Sequence, residues 1–215
     1  MAHAKAYEDP GTPEEQSRRQ FMANATIVIG SVIGLVIAAP LVTGLIPSAA
    51  VLGGGKSWSP LQDQSKFDAL TPESPPAQIY FSRTVRDGYM PPADASDYVW
   101  AVKMNDAQIA KMRADRPDLF NNPGGEVDYP VVTMGYVIFS SVCPHLGCKF
   151  NWRPDLNRFF CPCHNSEYAR DGAHLAGPAA RGLDPLPLRE VNGRAEITWI
   201  RYKAAIPDRI IISYT

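Results

Sequence analysis

Composition and pattern predict an antiparallel all-β head with a small metal-binding subdomain, preceded by a single transmembrane α-helix. Three observations lead there. A charge-free run, Ala23 to Gly55, precedes the body; β-branched and aromatic segments alternate with turn signals through the body; and all four cysteines and two of the four histidines fall in two short loops. The 20 prolines among 215 residues each remove a backbone donor and break regular elements, which argues for strands and loops over a helical bundle. A net charge of -1 and a pI near 6.4 give no electrostatic case for nucleic acid.

Residues 1–22 read as a polar N-terminal tail, ending in Ser17-Arg18-Arg19-Gln20-Phe21. Paired arginines ahead of an apolar run are a positive-inside flank, and they also resemble a twin-arginine export signal. Residues 23–47 read as the transmembrane helix. Its apolar centre, Ala25 to Ile46, would rise about 33 Å at roughly 1.5 Å per residue, against a hydrocarbon core of about 30 Å. Pro40 is expected to kink or end it, and Gly30, Gly34 and Ala38 form a small-residue stripe. Ser48-Ala49-Ala50 resembles a signal cleavage site; the span is long for a signal peptide, so a retained anchor is expected. Residues 48–57, with Gly53-Gly54-Gly55, read as a flexible hinge.

The soluble head covers 58–215, with its cluster-binding part at about 136–185. Ala77 to Thr84 and Tyr98 to Met104 read as strands, Asp106 to Arg113 as a short helix, and Asn121 to Gly125 as a loop. Val131 to Val142 returns to strand, Arg158 to Phe160 is a short strand, and Ala195 to Arg201 alternates as a late strand. Leu183 to Leu188, with two prolines, reads as a sheet-edge connection.

The first loop, Cys143-Pro144-His145-Leu146-Gly147-Cys148, offers Cys-x-His-x-x-Cys; the second, Cys161-Pro162-Cys163-His164-Asn165-Ser166-Glu167-Tyr168, offers Cys-x-Cys-His. Six soft or borderline ligands exceed what one tetrahedral zinc needs, and structural zinc usually takes two similar knuckles. These loops are unlike each other. A two-cysteine, two-histidine [2Fe-2S] centre needs one iron held by thiolates and the other by imidazoles, so two loops giving one of each would suffice, and both readings of the ligands remain in play at this point.

The two loops resemble those of the Rieske iron-sulfur protein of quinol:cytochrome c reductases and the related plastoquinol complexes (cytochrome bc1 and b6f types). The likeness is detailed over Tyr136 to Leu188 and architectural before it. It implies that Cys143 and Cys161 bind one iron, that His145 and His164 bind the other, and that Cys148 pairs with Cys163 in a disulfide. It implies that Ser166 donates a hydrogen bond to a bridging sulfide and Tyr168 to a ligand thiolate, and that Gly177-Pro178-Ala179 covers a third side of the cluster. Neutral imidazoles in place of thiolates, together with hydroxyl donors to sulfur, raise the potential within a range of about -150 to +300 mV. Asn165 stands where the family usually has glycine; Asn tolerates left-handed backbone, so the loop is expected to be preserved.

The resemblance further implies one [2Fe-2S] cluster per chain and quinol oxidation coupled to proton release. His164, with His145 also exposed, would meet the quinol held on a cytochrome b subunit, and a c-type cytochrome would accept the electron. It implies a subunit of a dimeric respiratory or photosynthetic complex in the cell membrane, with the N-terminus cytoplasmic and the head on the outer, positive side, where a disulfide persists. The alternatives are a zinc-binding interaction module and a Rieske carrier of another oxidoreductase, such as a ring-hydroxylating oxygenase, whose pattern lacks the two extra cysteines and the anchor. His3 and His174 read as surface residues, and Trp152 and Arg153 as packing.

Overall fold

The computed structural model of the protein describes residues 12–45, 57–85, 93–120 and 127–214. His3, the glycines of the expected hinge and the Asn121–Gly125 loop lie outside the described residues. The chain divides into two compact units, Met1–Ala49 and Ala50–Thr215.

In the first unit a single helix, α1 (Pro13–Leu45), runs for 33 residues. Among the described residues it is the one helix long and apolar enough to cross a membrane. Apolar side chains such as Ile27, Val32, Leu35 and Leu41 are exposed all around it, as expected of a helix solvated by lipid. Within the stretch read as a polar tail over 1–22, the helix already begins at Pro13. Thr12 supplies the reason. Its backbone N–H and hydroxyl both donate to Glu15 (2.9 and 3.0 Å), while the Glu15 N–H reaches the Thr12 hydroxyl at 3.4 Å. This is a capping box with proline in the first helical position, which satisfies donors the helix end would leave unpaired. Arg18 and Arg19 are therefore helical. Pro40 lies inside the helix rather than ending it.

The second unit is built from antiparallel strands. β1 (Ser59–Pro60) and α2 (Gln64–Asp68) lead to β2 (Ala77–Val85) and β3 (Ala93–Lys103); α3 (Asp106–Asp115) and α4 (Pro117–Phe120) follow. Asn105 caps α3: its side chain accepts from the Gln108 N–H at 2.9 Å, and Gln108 reciprocates at 3.0 Å. The strand expected over Val131–Val142 is instead a hairpin, β4 (Val132–Thr133) and β5 (Tyr136–Ser140). Met134 and Gly135 turn at φ 54° and 73°, the left-handed pair that a two-residue hairpin requires. Next come β6 (Asn151–Arg153), β7 (Arg158–Cys161), β8 (Ser166–Tyr168), β9 (His174–Ala176) and β10 (Pro185–Leu186), then β11 (Leu188–Val191), β12 (Arg194–Ile197), β13 (Ile200–Tyr202) and β14 (Ile211–Tyr214). The expected late strand Ala195–Arg201 is broken at Thr198-Trp199, so that β12 pairs with β11 and β1 while β13 pairs with β14.

A central sheet of order β10-β5-β3-β2, with β4 also on β5, separates two cores. Val99, Ala101, Tyr136 and Ile138 face one core with Phe67, Phe81 and Ile197. Trp100, Val102, Val137 and Phe139 face the other with Phe150, Phe159, Tyr168 and Leu183. Alternate residues of β3 and β5 thus enter opposite cores, which explains why both strands read as unbroken apolar runs. The prolines of the Leu183–Leu188 connection sit where an edge tolerates them: Pro185 pairs with Phe139 on the outer side of β5. The second core carries the four-stranded sheet β6-β7-β8-β9, from which the two Cys/His loops project.

Candidate metal centre

β5 delivers the chain to the first loop, which closes on itself. The Cys143 N–H donates to Cys148 O (2.8 Å) and the Gly147 N–H to Cys143 O (3.0 Å), and Gly147 turns at φ 84°. At the exit Lys149 Nζ donates to Asp97 on β3 (2.6 Å) and to the Ser141 hydroxyl (2.5 Å), tying the loop to the central sheet.

The second loop joins β7 to β8. Their register sets Phe159 against Tyr168 and Cys161 against Ser166. Because strand side chains alternate, these four share one face, and all four are buried. The Asn165 N–H closes the turn on Cys161 O at 3.0 Å. Asn165 itself adopts φ 60°, the left-handed backbone expected of it, so a side chain stands where glycine is usual and the turn is kept.

The third segment, Gly177 to Asp184, lies over the second loop. Gly177 turns at φ 89°, and a Cβ there would come within 2.5 Å of Ser166 Cα, so the two backbones touch with no room for a side chain. The Ala179 N–H donates to the Ser166 hydroxyl at 3.3 Å.

Cys148 and Cys163 form a disulfide, with Cα atoms 6.6 Å apart at a sequence separation of 15. Cys143 and Cys161 are free thiols, 1% and 2% exposed. His145 is half-buried and His164 exposed; their ring centroids are 4.7 Å apart at 89°. The thiols are therefore interior and the imidazoles superficial. Cys161 Sγ lies within 4.8 Å of both disulfide sulfurs, but a disulfide sulfur carries no thiolate to donate, so that trio is not a metal site.

Electrostatics follow this arrangement. Burial pushes the Cys143 thiol up, and the neighbouring Cys161 adds to it, against hydrogen bonds from Tyr168 and the His145 backbone. The Tyr168 hydroxyl lies 3.1 Å from Cys143 Sγ; burial first, then that sulfur, raises its pKa, so the phenol keeps its proton and has it to donate once Cys143 is a thiolate. Two buried sulfurs with a hydroxyl donor, and two imidazoles at the rim, fit a [2Fe-2S] centre that takes thiolates on one iron and imidazoles on the other.

His174 is exposed on β9, its ring 5.9 Å from that of Tyr168. Trp152 packs edge-on against Phe159 at 4.9 Å, whereas Arg153 is exposed and pairs with Asp155 at the surface. Sequence reasoning missed the residues beneath the third segment. Arg116, Arg181, Asp184 and Arg209 are buried and arrive from three distant parts of the chain. A buried charge is a functional signal only when its burial is visible, and nothing local in the sequence marks it.

The Rieske [2Fe-2S] domain family matches residues 99–187, which include both loops. The cytochrome b6-f complex iron-sulfur subunit 2 of Nostoc sp. is 32% identical over 124 residues, spanning 52% of this chain and 68% of that protein. The chloroplastic cytochrome b6-f complex iron-sulfur subunit of Bigelowiella natans is 37% identical over 82 residues, 36% of this chain and 32% of the relative. A solved structure described as a hyperthermophilic respiratory complex III is 21% identical with a TM-score of 0.33, over 80% of this chain and 98% of the other.

Proposed function

The chain belongs to the Rieske [2Fe-2S] family, and on that premise we propose that it carries electrons from a quinol to a c-type cytochrome as the iron-sulfur subunit of a membrane quinol:cytochrome c oxidoreductase. The observation that carries this reading is the sidedness of the ligand set: thiols at 1% and 2% exposure against an exposed His164 and a half-buried His145. Cys143 and Cys161 would hold one iron, and His145 and His164 the other. The bound cluster supplies a one-electron acceptor.

The residues of this chain do the rest. His164, at the surface, would meet the quinol hydroxyl through the ring nitrogen that does not serve as a ligand and would hold its proton, which couples proton to electron movement. Tyr168 and Ser166 spread negative charge from the sulfurs. The disulfide keeps the two loops in register. α1 anchors the chain, with Arg18 and Arg19 on the cytoplasmic side and the head on the outer side, where a disulfide persists. Residues 48–57 serve as the tether on which the head moves between a cytochrome b subunit and the c-type cytochrome. The relatives named as cytochrome b6-f subunits support the placement in such a complex.

The test is electron paramagnetic resonance of the reduced protein with iron and sulfide analysis, alongside His164→Cys in the assembled complex. We expect a two-histidine [2Fe-2S] signal from the native chain and loss of turnover in the variant. A colourless, sulfide-free protein, or unchanged turnover in His164→Cys, sinks the reading.

A further inference from the structure

Between β9 and β10 the third segment has no strand of its own, yet it must hold the Ala179 N–H on Ser166. What secures it is a buried network of ions. Arg181 grips Asp184 with two hydrogen bonds of 2.8 Å and donates to the carbonyls of Ile206 (2.6 Å) and Asp208 (3.3 Å). Arg116, beyond α3, binds Asp118 at 3.0 and 3.1 Å and donates to Leu183 O at 3.0 Å. Arg209 joins the two halves. Its Nη1 lies 2.7 Å from Asp118, and its Nε lies 3.1 Å from Asp184, near enough for charge attraction though misaligned for a hydrogen bond. Its Nη2 donates to Gly182 O at 3.4 Å. The side chains of Arg116, Arg181, Asp184 and Arg209 are 2% to 6% exposed.

Ions buried this deeply do not earn their place through stability, since apolar packing of the same volume is generally as stable or more so. They fix position instead. The segment they fix makes a polar contact with the second loop: the Ala179 N–H fills an acceptor site of the Ser166 hydroxyl, leaving that hydroxyl's single proton to be donated elsewhere.

The geometry points to Arg209 as a positioning residue, which, with Asp118, braces the third segment so that Ala179 orients the Ser166 hydroxyl toward the cluster and sets its reduction potential. This inference rests on the proposed ligand set. It acts through geometry and not through charge, and that gives it a distinctive sign. Removing a positive charge lowers a cluster's potential and removing a negative charge raises it; slackening the brace lowers it in both cases, because the hydroxyl donor is lost.

The experiment measures midpoint potentials by redox titration in the cluster-loaded full-length chain, for native protein, Arg209→Gln, Arg209→Lys and Asp118→Asn. All three variants are expected to disfavour reduction by roughly three- to tenfold, Arg209→Lys included because an ammonium cannot span the three partners. A potential that rises in Asp118→Asn, or stays unchanged in all three while the melting temperature falls, overturns the inference. If the Arg209 variants fail to load a cluster, Asp118→Asn decides alone, since Asp118 is 41% exposed. Hydrogen exchange at the Ala179 amide then adds a second measure: faster exchange supports the brace, and native protection overturns it. A native chain lacking the two-histidine signal refutes the ligand set before any variant is compared.

Discussion

The Tyr168 hydroxyl and the Cys143 sulfur lie 3.1 Å apart inside the second core, which places a proton donor among the buried residues of the site, whereas His164 is exposed. A hydrogen bond to a charged group is worth about 1.5–3 kcal/mol, and only its strengthening on reduction affects the potential. Tyr168→Phe should therefore make reduction less favourable by about 1 kcal/mol, near fivefold in the reduction equilibrium. Voltammetry of native and variant protein checks this; an unaltered potential would show that the hydroxyl is packing only.

Cys148→Ser removes the bond between the first two loops. A 15-residue closure alone is worth about 3 kcal/mol, but the same loops are also joined through the β7–β8 register and the common core, so the stability loss should be smaller than that. The clearer effect is expected in time. Bleaching of the visible spectrum in chelator should accelerate severalfold, and an unchanged bleaching rate would mean the disulfide adds nothing to the retention of the centre.

At Gly177 the backbone is left-handed and a methyl would meet Ser166 Cα at 2.5 Å. Neither strain nor clash can be relieved by a rotamer change, because the opposing atom is main chain. Gly177→Ala should cost more than about 2 kcal/mol in unfolding free energy, and Gly193→Ala, whose Cβ would meet nothing within 4 Å, should cost less. Denaturant titration of both compares clash with strain, since Gly193 also turns at φ 74°; equal losses would remove the argument from close approach.

Tyr129 and Tyr202 share a short hydroxyl contact of 2.6 Å, and both oxygens lie within reach of Pro185 O, at 2.6 and 3.2 Å; the two protons serve one bond between the phenols and one to that carbonyl. Burial first raises both phenols above their ordinary value of 10.0. A group whose folded pKa is raised contributes stability that is fully present below its unfolded pKa and lost as pH climbs toward the folded one. The head should thus lose stability above about pH 10. Tyr129→Phe should cost about 1 kcal/mol at pH 7 and flatten that alkaline decline. Unfolding titrations across pH 8 to about 11 measure it, and an equally steep decline in the variant would count against the pair as its source.

Much of the site was legible because its chemistry is local. Cys143, His145, Cys161 and His164 announce themselves by type and spacing, and Ser166 and Tyr168 follow at the alternation of one strand. The Asn165 turn was legible too, since Asn is a residue that accepts left-handed backbone. The turn at Met134-Gly135 was not, because methionine gives no warning of φ 54°. The start of α1 was written in Thr12, Pro13 and Glu15, but the charged residues that follow looked like a tail. Arg116, Asp118 and Arg209 were illegible for a different reason: each is an ordinary charged residue in sequence, and only the fold brings them beneath one loop.

The early start of α1 changes what its arginines can offer. At about 1.5 Å per residue its 33 residues make a rod of about 50 Å, some 20 Å more than the hydrocarbon it would cross. The surplus includes the charged N-terminal turns, with Glu14, Glu15, Arg18 and Arg19. On a helix consecutive residues point about 100° apart, so Arg18 and Arg19 splay to different sides.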